Sequence, residues 1–295
     1  MTTAQHWLSL PWRARRPLVA AATSTALILL FVLTPDAADV QAADVFASLR
    51  SPGQAAFVAG HRGGSSAAPE NTLPAFQLAI DSDAEFVETD IQLTSDGVPV
   101  LMHDWTLDRT TNGSGPVWAM TAQQVAQLDA GSWFSAEYRG TTVPTLIEFL
   151  QLLKPSTKRA ILELKGSFTA EQAATVAAQV YASGLQRRVL FASFDLMTLK
   201  ALQSVATEVP RLIITHDVVG DPAILAGACG AVAIVTSRDF LESSPQSVEA
   251  IHAAGLGVLI YTLNSERTWS EAISLGVDGI ITDSPSQLDR WLETG

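Results

Sequence analysis

The 295-residue sequence contains one cysteine, Cys229, so no internal disulfide can hold the chain together. Set in the apolar run GACGAVAIV, that thiol reads as a buried inert group rather than a nucleophile. Basic residues are also scarce, with 18 Lys and Arg against 30 Asp and Glu and a formal net charge of −12. So weak a cationic surface excludes nucleic acid as an organising partner. Only 16% of the residues are charged and 47% are hydrophobic, which excludes a disordered chain. Stability must come from an apolar core, and about 250 residues can build one.

One apolar run stands out. Arg13, Arg15 and Arg16 precede LVAAATSTALILLFVL, Leu18 to Leu33, which is shorter than the ~20 residues that cross a bilayer comfortably. Small residues follow at Val40-Gln41-Ala42, where a signal peptidase could cut. Residues 1–42 therefore read as a signal peptide or an N-terminal membrane anchor, and residues 43–295 as an exported domain, secreted or held on the extracytoplasmic side. Arg15-Arg16 supplies only the rudiment of a twin-arginine signal. Without the first 42 residues, 15 basic and 28 acidic residues remain, a net of −13 over 253 residues.

Within that domain, short apolar runs alternate with stretches of helical periodicity, the pattern of βα units on a parallel sheet. Eight strands are expected, at AFVAG, EFVETDIQL, RAILELK, RVLFASF, RLIIT, GAVAIV, GVLIYTLN and DGIITD. Between them, segments such as TAEQAATVAAQVYASG and SERTWSEAISLG place apolar residues three and four apart. Eight such units predict a (β/α)8 TIM barrel, with an open doubly wound sheet as the alternative. The alternation breaks once. Ser95-Asp96-Gly97 reads as a hairpin turn, VPVLMHD returns as a short strand, and residues 94–143 form an excursion at the top of the barrel, where active sites are built.

Polar residues inside apolar strands carry the chemistry. Glu88 and Asp90 are two apart, so they share one side of their strand while Val87, Thr89 and Ile91 share the other. Glu163 and Lys165 repeat the spacing in ILELKG. Crowded carboxylates repel each other and are poorly solvated; one divalent cation resolves both problems, and oxygen ligands suit Ca²⁺ or Mg²⁺. A buried Glu–Lys pair with an acid at the rim is the plainer reading of the same spacing. His61-Arg62 follows the first strand and His103-Asp104 ends the hairpin arm. Two histidines beside acids and an arginine suggest general acid–base work on a phosphate ester, with Arg62 offering a planar fork to the phosphate.

HRGGSSAAPENTLPAFQLAI, ETDIQLTSDGVPVLMHDWTLDRTTNGSG, VPTLIEFL, ILELKG and GVDGIITDSP together closely resemble the glycerophosphodiester phosphodiesterase family, over about Phe57 to Pro285. The resemblance implies a TIM barrel, a divalent metal, and hydrolysis of glycerophosphodiesters to an alcohol and sn-glycerol 3-phosphate. It implies that His61 and His103 are the catalytic pair, that Glu88, Asp90 and Glu163 hold the metal, and that Arg62 and Lys165 meet the phosphate. Glu70, in Pro-Glu-Asn-Thr, becomes an orienting acid or simply a first-turn helix residue. Tyr261, in YTLN, stands where the family carries a tryptophan and is expected to wall the substrate, with Phe194 as a second candidate wall or a core residue. His61 is expected to take the proton of the attacking hydroxyl or water, and His103 to give one to the leaving alcohol. His216 and Asp217 end a strand with a weaker claim on substrate, His252 is expected at the surface, and Trp105 is expected to pack the excursion, with covering the site as the alternative. A phospholipase D-like enzyme acting on lysophospholipids and a non-catalytic phosphoester-binding module are the competing readings. The expected partner is a small molecule, with membrane attachment through the N-terminal segment if that segment is retained.

Overall fold

The computed structural model describes residue 45, residues 48–218 and residues 220–294. The expected export segment, 1–42, lies outside the described residues, and none of the described helices is long and apolar enough to cross a membrane. The domain is built on nine strands, eight of them parallel and closed on themselves in the order β1-β9-β8-β7-β6-β5-β4-β2, with β2 returning to pair β1. The strands are β1 (Phe57–Gly60), β2 (Phe86–Leu93), β3 (Pro99–Leu101), β4 (Arg159–Leu164), β5 (Val189–Ser193), β6 (Arg211–Thr215), β7 (Ala231–Ser237), β8 (Gly257–Tyr261) and β9 (Gly279–Thr282). This is the TIM barrel expected from the alternation, and all eight expected strands fall where the apolar runs are.

Alternation along each strand separates two cores. Phe57, Phe86, Ile161, Leu190, Leu212 and Leu259 point inward and fill the barrel. Val87, Ile91, Leu162 and Leu164 point outward and pack under the helices with Phe76, Phe149 and Trp269. The helices follow the 3.6-residue period: α1 (Leu73–Asp81), α2 (Ala122–Val125), α3 (Leu146–Leu153), α4 (Ala170–Ser183), α5 (Leu196–Val205), α6 (Pro222–Gly227), α7 (Arg238–Ser243), α8 (Ser247–Ala253), α9 (Glu266–Leu275) and α10 (Pro285–Thr294). Thr145 and Thr169 open α3 and α4 with capping boxes, each hydroxyl accepting from the third helical N–H while the Glu148 or Gln172 side chain reaches back.

The break in the alternation is the expected hairpin. β3 pairs antiparallel with β2, and residues 94–143 add only the one-turn α2 and two 3₁₀ turns, at Val117–Ala119 and Ala136–Tyr138. The excursion has a small core of its own, in which Met102, Leu107, Val117, Val125 and Val143 are buried. Trp105 does not sink into that core. It is 50% exposed, meets Trp118 edge-on at 6.1 Å and lies against Gly166. A Cβ on Gly166 would come within 2.4 Å of the indole, and φ at that residue is +77°.

Two polar residues are held at the opposite, N-terminal end of the barrel, and one of them differs from expectation. His252 is not a plain surface residue: its Nε2 lies 2.9 Å from Oδ2 of the buried Asp278, whose other oxygen accepts from Arg50 N at 2.7 Å. A carboxylate buried just before β9 requires such partners. Arg211 opens β6 with 1% exposure, and its guanidinium donates to the carbonyls of Cys229, Val209 and Gly230 at 3.1, 3.1 and 3.2 Å. Cys229 is buried, and burial pushes its thiol up, as befits an inert group.

The layer between barrel and helices rests on large fully buried side chains. Phe149 on α3 meets Phe76 on α1 edge-on at 4.7 Å with no exposure. Phe149→Ala is expected to lower the unfolding free energy by about 3–5 kcal/mol, read from urea denaturation followed by circular dichroism.

Candidate active site

Every expected site residue comes to the end of the barrel where the parallel strands finish. β1 ends at Gly60, and the chain turns sharply through His61-Arg62-Gly63. Arg62 adopts φ +53° and Gly63 φ +88°, and a Cβ on Gly63 would sit 2.5 Å from the Ala75 carbonyl carbon in α1. Only glycine lets the loop lie that close to the helix. The turn aims Arg62 N at Glu88 Oε2, 2.8 Å away, so a left-handed non-glycine residue is held in place by the buried carboxylate it serves.

Glu88, Asp90 and Glu163 are all buried, with one carboxylate oxygen of each within 4.8 Å of the others. The register explains the meeting: Glu88 and Asp90 share the inward face of β2, and Asp90 pairs directly with Glu163 on β4. Lys165 Nζ reaches Glu163 at 2.8 Å and Asp90 at 3.5 Å, and Arg62 Nε lies 3.3 Å from Asp90. Arg62 is also shared with Glu70, through Nη1 to Oε1 at 2.7 Å, so three buried carboxylates have less than two full counter-charges. The imbalance appears in their protonation. Burial, with Asp90 and Glu163 alongside, pushes Glu88 well above the usual carboxylate range, and burial with Asp90 nearby pushes Glu163 up to about 7. Burial acts to raise Asp90 as well, but Arg62 and Lys165 outweigh it and hold the group low. A cluster of hard oxygen donors that cannot keep its charges unaided fits a divalent cation such as Ca²⁺ or Mg²⁺.

The two histidines are held in the same way. His61 Nδ1 lies 2.6 Å from Asp283 Oδ1, and Asp283 also accepts from Ser65 Oγ at 3.0 Å and Asn264 Nδ2 at 2.5 Å. Burial works against that carboxylate, but these hydrogen bonds keep it below the usual range. His103 Nδ1 lies 2.7 Å from Asp104 Oδ1. An ionised carboxylate can only accept, so both rings carry their Nδ1 proton toward it and leave Nε2 free. The hairpin delivers His103: β3 runs back beside β2, Met102 N donates to Asp90 O at 3.0 Å, and Gln92 Nε2 holds the Met102 and Asp104 carbonyls at 3.0 and 2.5 Å.

A cavity of about 430 Å³ opens over the barrel, lined by His61, Arg62, Glu88, His103, Glu163 and Lys165 among others. Phe194, His216 and Tyr261 form its far wall, with Phe194 and His216 5.2 Å apart and Tyr261 Oη 3.1 Å from His216 Nδ1. Burial, then Glu163, pushes the Tyr261 hydroxyl up to about 12, so it stays protonated. Of the residues singled out in sequence, Asp90 and Glu70 stand directly behind the lining, and Asp217 lies outside it. His216, given the weaker claim, is on the wall. Sequence reasoning missed Asp283, Arg109 and Asn71. Asn71 of the Pro-Glu-Asn-Thr element, at φ +56°, donates to Asp90 Oδ2 at 2.8 Å and accepts from Thr89 Oγ1 at 2.7 Å. The hint was an asparagine, the residue most tolerant of that conformation after glycine.

Comparison with known proteins agrees with this geometry. The model of the glycerophosphoryl diester phosphodiesterase family matches residues 61–287. A glycerophosphodiester phosphodiesterase of Caldanaerobacter subterraneus is 31% identical over 242 residues, 81% of this chain and 98% of its own. Among solved structures, a glycerophosphodiester phosphodiesterase of Agrobacterium tumefaciens superposes with a TM-score of 0.71 at 32% identity, covering 80% of this chain and all of its own. An Oleispira antarctica phosphodiesterase in complex with the product sn-glycerol 3-phosphate gives 0.74 at 30% identity, covering 80% and 96%. The chain belongs to the glycerophosphoryl diester phosphodiesterase family and is a phosphoric diester hydrolase.

Proposed function

We propose that this protein hydrolyses small glycerophosphodiesters to an alcohol and sn-glycerol 3-phosphate, with one divalent cation, Ca²⁺ or Mg²⁺, held by Glu88, Asp90 and Glu163. The observation that carries the reading is the pairing of an undercompensated carboxylate triad with two carboxylate-held histidines on one cavity. When bound, such a cation offsets the negative charge of the phosphodiester and makes phosphorus more open to attack. Arg62 and Lys165 line the same cavity and add a guanidinium fork and an ammonium for the non-bridging oxygens. Their local field opposes the −12 charge of the whole chain, which repels an anionic substrate.

The histidines divide the proton transfers, in the reverse of the order expected from sequence. Burial holds His103 below the usual imidazole range; Asp90 and Asp104 oppose this, while Arg62 and Lys165 add to it. His103 thus stands neutral, with Nε2 free to take the proton of the attacking water, or of the glycerol's own adjacent hydroxyl, in which case water then opens the cyclic ester to give sn-glycerol 3-phosphate. His61, fixed by Asp283 through Nδ1, acts in its doubly protonated form and gives its Nε2 proton to the leaving oxygen as the P–O bond breaks. The relative solved with sn-glycerol 3-phosphate supports the substrate class. The basic n-region and apolar segment within residues 1–42 support export, as a secreted or anchored enzyme.

Coupled detection of sn-glycerol 3-phosphate is expected from glycerophosphodiesters rather than lysophospholipids, to vanish in EDTA and to return with Ca²⁺ or Mg²⁺. Full activity in metal-free enzyme would remove the carboxylates as a metal site. His61→Ala is expected to lose orders of magnitude in turnover on alkyl diesters but far less on a p-nitrophenyl diester, whose leaving group departs unprotonated; His103→Ala loses both. The opposite pattern would exchange the roles. Without cation, a Glu163 raised from about 4.5 to about 7 costs stability as pH climbs through that window. In EDTA the melting temperature is therefore expected to fall across that range, less so in Glu163→Gln, with Ca²⁺ or Mg²⁺ restoring it most at the upper end.

A further inference from the structure

Arg109 belongs to none of the groups that face substrate, yet it has the densest set of charged contacts near the site. Its Nε and Nη2 donate to Asp104 Oδ2 and Oδ1 at 2.6 and 2.9 Å, while Nη1 and Nη2 donate to Glu70 Oε2 and Oε1 at 2.7 and 2.8 Å. One planar guanidinium thus grips two carboxylates, each by both oxygens. Neither carboxylate is otherwise idle: Asp104 accepts the Nδ1 proton of His103, and Glu70 holds Arg62. The result is a continuous chain of polar contacts, from the neutral His103 ring through the alternating charges of Asp104, Arg109, Glu70 and Arg62 to Asp90 in the carboxylate cluster.

The side chain is launched from a rigid base. Leu107 is fully buried in the small core of the excursion, Thr110 Oγ1 contacts Met102 Sδ at 3.3 Å, and Thr111 Oγ1 donates to Leu107 O at 2.7 Å. The residues around Arg109 are therefore pinned, and the guanidinium can transmit that rigidity. Asp104, by contrast, is partly open to solvent and next to the ring it orients, so without a second anchor its carboxylate can rotate away from Nδ1. Lysine cannot take the place of arginine here, because one ammonium has no fork with which to fix two carboxylate planes at once.

We propose that Arg109 is a positioning residue of this active site: by clamping Asp104 against Glu70 it fixes the ring orientation and tautomer of His103, and secondarily the guanidinium of Arg62. The inference rests on the reading of His103 as a proton-transferring group. A residue that only fastens the excursion to the barrel would have the same contacts but different kinetics.

The test is a double-mutant cycle on the full chain, with cation present, using Arg109→Met, Asp104→Asn and the pair, with Arg109→Lys and His103→Ala alongside. Arg109→Met is expected to lower kcat by about 10–100-fold with a smaller change in KM and a melting temperature close to wild type. Asp104→Asn is expected to do the same, the pair to be no worse than the worse single variant, and Arg109→Lys to give no rescue. Should Arg109→Met melt appreciably lower, Arg109→Gln takes its place. Multiplying losses in the pair, a full rescue by lysine, or a loss of melting temperature with kcat intact would each overturn the proposal. If His103→Ala keeps its activity, the reading of His103 itself fails; if His103→Ala is inactive while Arg109→Met is unimpaired, only the role of Arg109 fails.

Discussion

Three carboxylates closed into the top of a barrel need countervailing charge, and the surrounding site is organised to provide it. The β2–β4 register sets Asp90 against Glu163, and the two-residue period adds Glu88. Lys165 is placed by the same period one residue past β4, Arg62 by a backbone turn that only Gly63 allows, and Asn71 by its own left-handed backbone. What these cannot neutralise shows in the raised Glu88 and Glu163. A net attraction for a hard cation is built into the fold rather than added to it.

The histidines enter from different levels of the architecture. His61 follows directly from a barrel strand and is braced by Asp283, which immediately follows the neighbouring strand β9. His103 comes from outside the parallel sheet, on a hairpin that folds back and is pinned by Gln92. The aromatic and imidazole wall of Phe194, His216 and Tyr261 closes the opposite side, so the charged half of the cavity faces an amphipathic half. This division suits a small ester with one anionic centre and short polar arms.

The barrel was legible because both of its cores are written in period two and period 3.6: eight short apolar runs such as GVLIYTLN and DGIITD alternate with stretches of helical period. Glu88, Asp90 and Glu163 were legible for the same reason, as charges in strand interiors that otherwise carry none. Asp283, Arg109 and Asn71 were not, because their roles depend on partners that the fold supplies. Asp283 meets a histidine 222 residues earlier, and Arg109 meets Glu70 across 39. A strand ending in Thr-Asp and a loop reading Asp-Arg-Thr look like ordinary caps and turns until the barrel closes. Arg211 was hidden by the opposite effect, since a charge opening an apolar strand reads as an exposed end, whereas here backbone carbonyls receive it.

The small core of the excursion has one more implication. Met102, Leu107, Val117, Val125 and Val143 bury far less apolar surface than the barrel does, so the excursion beyond β3 is expected to open at a lower free-energy cost than global unfolding. His103 and its brace ride on that segment, while the carboxylates stay with the barrel. The brace on His103 can therefore open reversibly while the carboxylate cluster and the sheet beneath it stay assembled.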